Sequence, residues 1–209
     1  MEHPSLISVV DYGLGNLRAF VNIYNQLNIP VQIADSEEKL LESTKIVLPG
    51  VGSFDWALSK LEKSGLIGLL ENLVLEKKVP VLGVCVGMQI MGTESEEGEK
   101  KGLNWIPGQV VKFSSKYAKE KLILPHMGWN HIEDATRLNL VDKKTTGQKF
   151  YFLHSYHFVP HDTEHILAQT EYHYRFASVV GKDNIYGVQF HPEKSHNFGI
   201  EILKRFSEL

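Results

Sequence analysis

The chain has 209 residues, a net charge of −3 and a single cysteine, and 43% of its residues are hydrophobic. Length and apolar content suit one α/β domain spanning 1–209 with a sizeable core. The lack of a basic cluster argues against a nucleic-acid partner, and a lone cysteine closes no internal disulfide, which suits a reducing, cytoplasmic compartment. No apolar run approaches the roughly 18 residues a membrane span needs. The opening MEHPSLISVV lacks the basic region of a secretory signal.

Short apolar runs alternate with amphipathic stretches. LISVVDYG reads as a buried strand, and Leu17, Phe20, Val21, Tyr24 and Leu27 then recur at helical spacing over Asn16–Leu27. IPVQIAD and STKIVLPGVG are two further strands. Phe54–Leu75 is expected to be helical, with a break marked by Gly65 and Gly68. VPVLGVC is the next strand, followed by helix from Met88 onward. Strands separated by helices imply crossover units and a central, mostly parallel sheet with helices on both faces. From about Gly102 the pattern turns to short strands: GQVVKF, KFYFLHSYHFV, HILAQTEY and FASVVGKDNIYGVQF. These fit an antiparallel extension of the same sheet or of a second one, and a helix over Gly199–Leu209 closes the chain.

Three stretches carry chemistry. VLGVCVGMQ places Cys85 between Gly83 and Gly87, the nucleophile-elbow pattern G-x-S-x-G with sulfur for oxygen. Such a nucleophile sits on a sharp strand-to-helix turn, where bulkier neighbours would strike adjoining backbone and the following helix dipole favours thiolate. VQFHPEKS ends an apolar run in His191 and Glu193; at i and i+2 of an extended segment the carboxylate can orient the imidazole as a base for the thiol. LPGVGSF places Gly50 and Gly52 around Val51, and the N–H groups of Val51 and Val86 could turn toward a developing oxyanion. DYGLGNLR begins like a dinucleotide fingerprint, but Arg18 stands at the third glycine position, and Gly13 and Gly15 read instead as a tight turn. The ten histidines are scattered; His154 and His157 are expected on opposite faces of one strand, and no metal or cofactor is called for.

LPGVGSF, VLGVCVGMQ, LPHMGWN, YFLHSY and YGVQFHPEKS, in that order, resemble a class I (triad) glutamine amidotransferase of flavodoxin-like fold. Within that family the resemblance is closest to the glutaminase subunits of imidazole glycerol phosphate synthase, and it covers essentially the whole chain. It implies Cys85 as nucleophile, His191 as acid and base, and Glu193 as its orienter. Val51 and Val86 would line the oxyanion hole, and Gly52, Gln89, Glu97, His154 and Ser155 would hold glutamine. Hydrolysis to glutamate would pass through a glutamyl thioester and release ammonia.

The few residues after Glu193 leave no room for an acceptor-modifying domain, so a separate subunit is expected to use the ammonia. The resemblance implies a (βα)8-barrel cyclase in a heterodimer, with Asn16, Met127 and Trp129 near the interface and ammonia gate, and with cyclase occupancy controlling turnover through the Pro49–Gly52 loop. Val86 where leucine is frequent, the tryptophan of GLNWIPG, and His126 before Met127 depart from the usual pattern. They leave two acceptors open: the imidazole precursor of histidine biosynthesis, or a surface-polysaccharide sugar amidinated with a cyclase-like partner.

Overall fold

The structure, a computed structural model, describes residues 5–117, 121–135 and 140–209. Strands β1 (Ile7–Val10), β3 (Lys45–Gly50) and β4 (Val81–Cys85) are buried end to end. That burial explains why they read as continuous apolar runs rather than alternating ones, since helices cover both faces of the sheet. Two further parallel strands flank them, β2 (Val31–Ala34) beside β1 and β12 (Ile185–Val188) beside β4. Beyond β12 the sheet continues antiparallel through β11 (Tyr174–Lys182) to β10 (Ile166–Tyr172), giving the order β10-β11-β12-β4-β3-β1-β2.

Helix α1 (Leu17–Gln26) buries Phe20, Ile23 and Tyr24, and the Tyr24 hydroxyl donates to the Leu203 carbonyl of α6 (His196–Glu208) at 3.3 Å. These two helices share one face. Right-handed crossovers place α2 (Glu37–Leu41), α3 (Phe54–Ser64) and α4 (Ile67–Glu71) on the other, where α4 packs against both α2 and α3. At five residues α2 is too short for a periodicity signal; Ser36 caps it by accepting from the Lys39 N–H. The helix expected over 54–75 ends at Gly65, whose φ of +75° forms a left-handed cap. It resumes as α4 and a π-helical turn, Asn72–Glu76, so Gly68 lies within a helix rather than at a break.

The second half uses both arrangements left open by the sequence. Besides the extension through β10 and β11, two smaller sheets form. One holds β5 (Glu94–Ser95), β6 (Gly108–Lys112) and β9 (Tyr156–Pro160); the other pairs β7 (His126–His131) with β8 (Lys149–His154). The run KFYFLHSYHFV is therefore two strands, parted at Ser155. His154 and His157 do not occupy opposite faces of one strand: both rings pack on Phe113, at 5.4 and 4.6 Å between centroids.

Backbones approach very closely where β3 meets the turn after β4. A Cβ added to Gly87 would stand 2.0 Å from the Leu48 carbonyl oxygen, and one on Gly50 would stand 2.1 Å from the Gly87 nitrogen. Both obstacles are backbone. Gly87→Ala is expected to lower the unfolding free energy by at least about 3 kcal/mol or to prevent folding. Gly68→Ala, on an exposed turn of α4 with open space around it, should raise it by about 0.5–1 kcal/mol. Urea titrations of both variants check the contrast.

Candidate active site

The carboxyl ends of the parallel strands meet at one edge of the sheet, where open α/β folds bind their ligands. Cys85 closes β4 with φ 56° and ψ −113°, a region that suits glycine and strains other residues. The strain follows from the sharp reversal between β4 and α5 (Val86–Gln89). A Cβ on Gly83 would fall 2.8 Å from the Gly87 carbonyl oxygen, so small residues are required on both sides of the turn. Helix α5 begins two residues earlier than the sequence suggested and has only four residues, because the chain turns away at Gly92 against Phe158. So short a helix has almost no macrodipole. The polar environment of Cys85 is instead set by side chains and by the first-turn N–H groups, which have no partner within a helix.

A cavity of about 330 Å³ opens over the sulfur. Its wall includes Cys85 and His191, the expected oxyanion residues Val51 and Val86, and all five expected glutamine contacts, Gly52, Gln89, Glu97, His154 and Ser155. Glu193 stands behind it. The Nδ1–H of His191 donates to Glu193 Oε1 at 2.9 Å, and both side chains are almost fully buried. Pro192–Lys194 is a 3₁₀ turn rather than extended strand, so the pairing expected from strand spacing arises by another backbone route. A carboxylate can only accept, which leaves Nε2 as the basic nitrogen. Burial works against protonating this ring. The hydrogen bonds and negative charges of Cys85 and Glu193 outweigh it, and the imidazole is held well above its usual range. Thiol, imidazole and carboxylate thus form a chain able to move a proton off sulfur.

The Pro49–Gly52 loop is anchored from below. The Tyr12 hydroxyl donates to the Pro49 carbonyl at 2.5 Å, and a Cβ on Gly15 would meet the Pro49 ring at 2.8 Å. The DYGLGN turn therefore serves as a support for this loop, with Asn16 lining a small gap beside Pro49, Val51, His191 and Glu193. Val51 itself is 39% exposed. Met127 and Trp129 lie outside the cavity on the solvent face of β7, and Trp129 stacks on His196 at 5.0 Å.

Several expected contacts are partly spoken for. Glu97 Oε2 accepts from the Phe54 N–H at 2.8 Å, at the start of α3. The Gln89 Nε2 amide donates to the Tyr156 carbonyl at 3.1 Å and to Gln189 Oε1 at 3.0 Å. His154 Nδ1–H donates to the same Tyr156 carbonyl at 2.8 Å, so its Nε2 accepts from His126 Nδ1–H at 3.0 Å. His126 Nε2 in turn faces the Asn130 amide at 3.2 Å. Sequence reasoning did not single out Lys194, Leu153, Tyr156 or Pro125 of the wall, nor Gln189 and Tyr12 behind it. Only Gln189 left a signal, two residues before His191; the Tyr156 contribution is a backbone carbonyl and has none.

His126, stacked between Phe152 and Tyr172 at 4.8 and 4.0 Å, belongs to a buried aromatic cluster with His154 and His157. Burial, assisted by the charge of His173, lowers His126 to about 4. Burial lowers His157 to about 4 and takes His154 well below its usual range. An unfolded chain protonates these rings near pH 6.5, so their contribution is intact above that pH and is lost as pH falls toward 4. The loss is about 1.4 kcal/mol per pH unit for each ring. His126→Phe keeps the stack and removes one such ring. Its unfolding free energy, measured by urea titration across that window, should fall with acid less steeply by about 1.4 kcal/mol per unit.

Comparison with known proteins agrees with this geometry. The family described as "Glutamine amidotransferase class-I" matches residues 8–208. The chain is 48% identical to "Imidazole glycerol phosphate synthase subunit HisH" of Bdellovibrio bacteriovorus, over 98% of this chain and 100% of that one. It is 40% identical to "Imidazole glycerol phosphate synthase subunit HisH 2" of Pseudomonas aeruginosa, again over 98% and 100%. Among solved structures, PurLQS from Thermotoga maritima is similar at a TM-score of 0.69 with 14% identity, covering 98% of each chain. A glutamine amidotransferase from the same organism is similar at 0.62 with 18% identity, covering 92% of this chain and 77% of that one. With a family match along nearly its whole length and an elbow cysteine at the sheet edge, this chain belongs to the class-I glutamine amidotransferases.

Proposed function

We propose that residues 1–209 act as a single glutaminase domain that supplies ammonia to a separate synthase subunit in the cytoplasm. The observation that carries this reading is the strained Cys85 sharing one cavity, large enough for one amino acid, with His191, itself held by Glu193 at 2.9 Å. The Cys85 thiolate attacks the side-chain carboxamide carbon of glutamine. As the C–N bond breaks, His191 gives its proton to the departing ammonia. Water, activated by the same imidazole, then hydrolyses the glutamyl thioester and restores the thiol. The N–H groups of Val51 and Val86 hold the oxyanion of both tetrahedral intermediates. Gly52, His154 and Ser155 shape the pocket. Glu97 spends one oxygen on Phe54 and offers the other to the substrate ammonium, and Gln89, with both amide protons committed, offers its carbonyl oxygen.

Ammonia released into neutral water becomes ammonium and loses its nucleophilicity, so delivery across a protein interface follows. Met127 and Trp129, exposed apolar residues 65% and 45% accessible, together with Asn16, are the proposed contacts for a cyclase partner of (βα)8-barrel type in a heterodimer. Relatives at up to 48% identity named as imidazole glycerol phosphate synthase subunits support the imidazole-forming step of histidine biosynthesis as destination. Two relatives carry the number 2 in that name, which keeps a sugar acceptor as the second reading.

Reconstitution with the organism's histidine-pathway cyclase distinguishes these. Glutamate and imidazole glycerol phosphate should form in equal amounts, and Cys85→Ala should reduce both by at least about a thousandfold. Glutamate without the imidazole product would keep the glutaminase and move the acceptor to a sugar. Undiminished hydrolysis by Cys85→Ala would remove the triad altogether. In the same assay Glu193→Gln should lower turnover by about a hundredfold or more while leaving glutamine binding close to wild type, because the imidazole loses its fixed tautomer.

A further inference from the structure

We propose that Gln189 is a further catalytic residue: its side-chain N–H donates to the Cys85 sulfur and holds the thiolate, in an orientation set by the Tyr156 carbonyl through Gln89. Gln189 follows β12, two residues before His191, and is fully buried. Its Nε2 lies 3.7 Å from Cys85 Sγ, within hydrogen-bond range for the large sulfur atom.

The two ends of an amide look alike, so the assignment needs an argument, and the neighbours supply one. Tyr156 presents a backbone carbonyl, which can only accept. The atom of Gln89 that meets it at 3.1 Å is therefore the NH₂ group. That same NH₂ lies 3.0 Å from Gln189, so the Gln189 atom there is the oxygen. The remaining end, the NH₂ of Gln189, faces the sulfur. Reversing Gln189 would oppose two NH₂ groups and turn carbonyl lone pairs on the thiolate.

The sulfur is 3% exposed with its residue and has few other places to find support. On another side stands the Leu153 carbonyl at 4.0 Å, which suits an S–H but repels a thiolate. When the proton passes from Sγ to His191 Nε2, Gln189 keeps its own protons and its bond strengthens, since the acceptor has gained charge. Attack on the carboxamide neutralises the sulfur and weakens that bond. Loss of the thiolate from the second tetrahedral intermediate restores it, so the contact assists both nucleophile formation and thioester breakdown.

The inference rests on Cys85 being the nucleophile, and its test needs neither glutamine nor a partner. Iodoacetamide reacts with thiolate, and Cys85 is the only cysteine, so its alkylation rate in the full chain against pH reads the thiolate directly. Gln189→Met keeps the length and removes the donor. Its alkylation midpoint should rise by about one pH unit. Tenfold less thiolate, offset by about threefold greater intrinsic reactivity, leaves alkylation about threefold slower below the midpoint. Gln189→Asn keeps a buried amide but draws its nitrogen back from the sulfur, and should shift the midpoint in the same direction. A purely structural amide would lower the melting temperature and leave the midpoint where it is. A wild-type midpoint in either variant with a cooperative melt overturns the inference. Failure of the glutaminase reading would show separately, as hydrolysis that survives Cys85→Ala.

Discussion

The backbone crossing of β3 over the turn at Gly87 is the constraint on which the site depends. Leu48, Gly50 and Gly87 meet with no room for a Cβ, which brings the Pro49–Gly52 loop directly above the Cys85 turn. A residue at φ 56°, ψ −113° stores about 1–3 kcal/mol of strain, and such strain persists only where surrounding packing over-determines the backbone. Here four neighbouring strands buried along their lengths, β1, β3, β4 and β12, provide that packing. The rigid core of the sheet is thus what presents the sulfur and the first-turn N–H groups to the same cavity.

Electrostatics around the sulfur follow a sparing design. Apart from the Cys85–His191–Glu193 chain, the groups behind the cavity are held neutral: His154 and His126 are buried without charge, and Gln89 and Gln189 are amides. The Tyr12 hydroxyl is pushed up first by burial and then by its electrostatic interaction with Cys85. In a weakly screening interior, fixed neutral dipoles behind the sulfur leave proton transfer to the Cys85–His191 pair.

How much of this was legible beforehand follows the range of the interactions. The parallel core was readable because burial on both faces leaves continuous apolar runs, and the elbow because Gly83, Cys85 and Gly87 lie within five residues. Helix α2 was missed because five residues hold barely more than one turn of periodicity. Strand β7 was missed because its alternation is carried by His126, Gly128 and Asn130, residues that do not read as an apolar face. The strand break at Ser155 was hidden in a run of aromatic residues good for a strand on either side. The Gln189–Gln89–Tyr156 chain spans 100 residues and ends on a backbone carbonyl, so no local pattern could disclose it.

That break at Ser155 also decides what the β7–β8 pair can do. Successive residues of a strand face opposite ways. Along β7, His126 points into the aromatic cluster and bonds His154, while Met127 and Trp129 point to solvent. On β8, Leu153 sends its carbonyl toward the Cys85 sulfur and pairs in register with Met127. The pair is a separate two-stranded sheet, tied to the rest by the His191 N–H, which donates to the Tyr151 carbonyl at 2.9 Å, and by Asn130, which donates to the Glu171 carbonyl at 2.9 Å. Any surface that docks on Met127 and Trp129 therefore bears on a strand pair whose β8 member ends in Leu153 and His154 of the cavity wall.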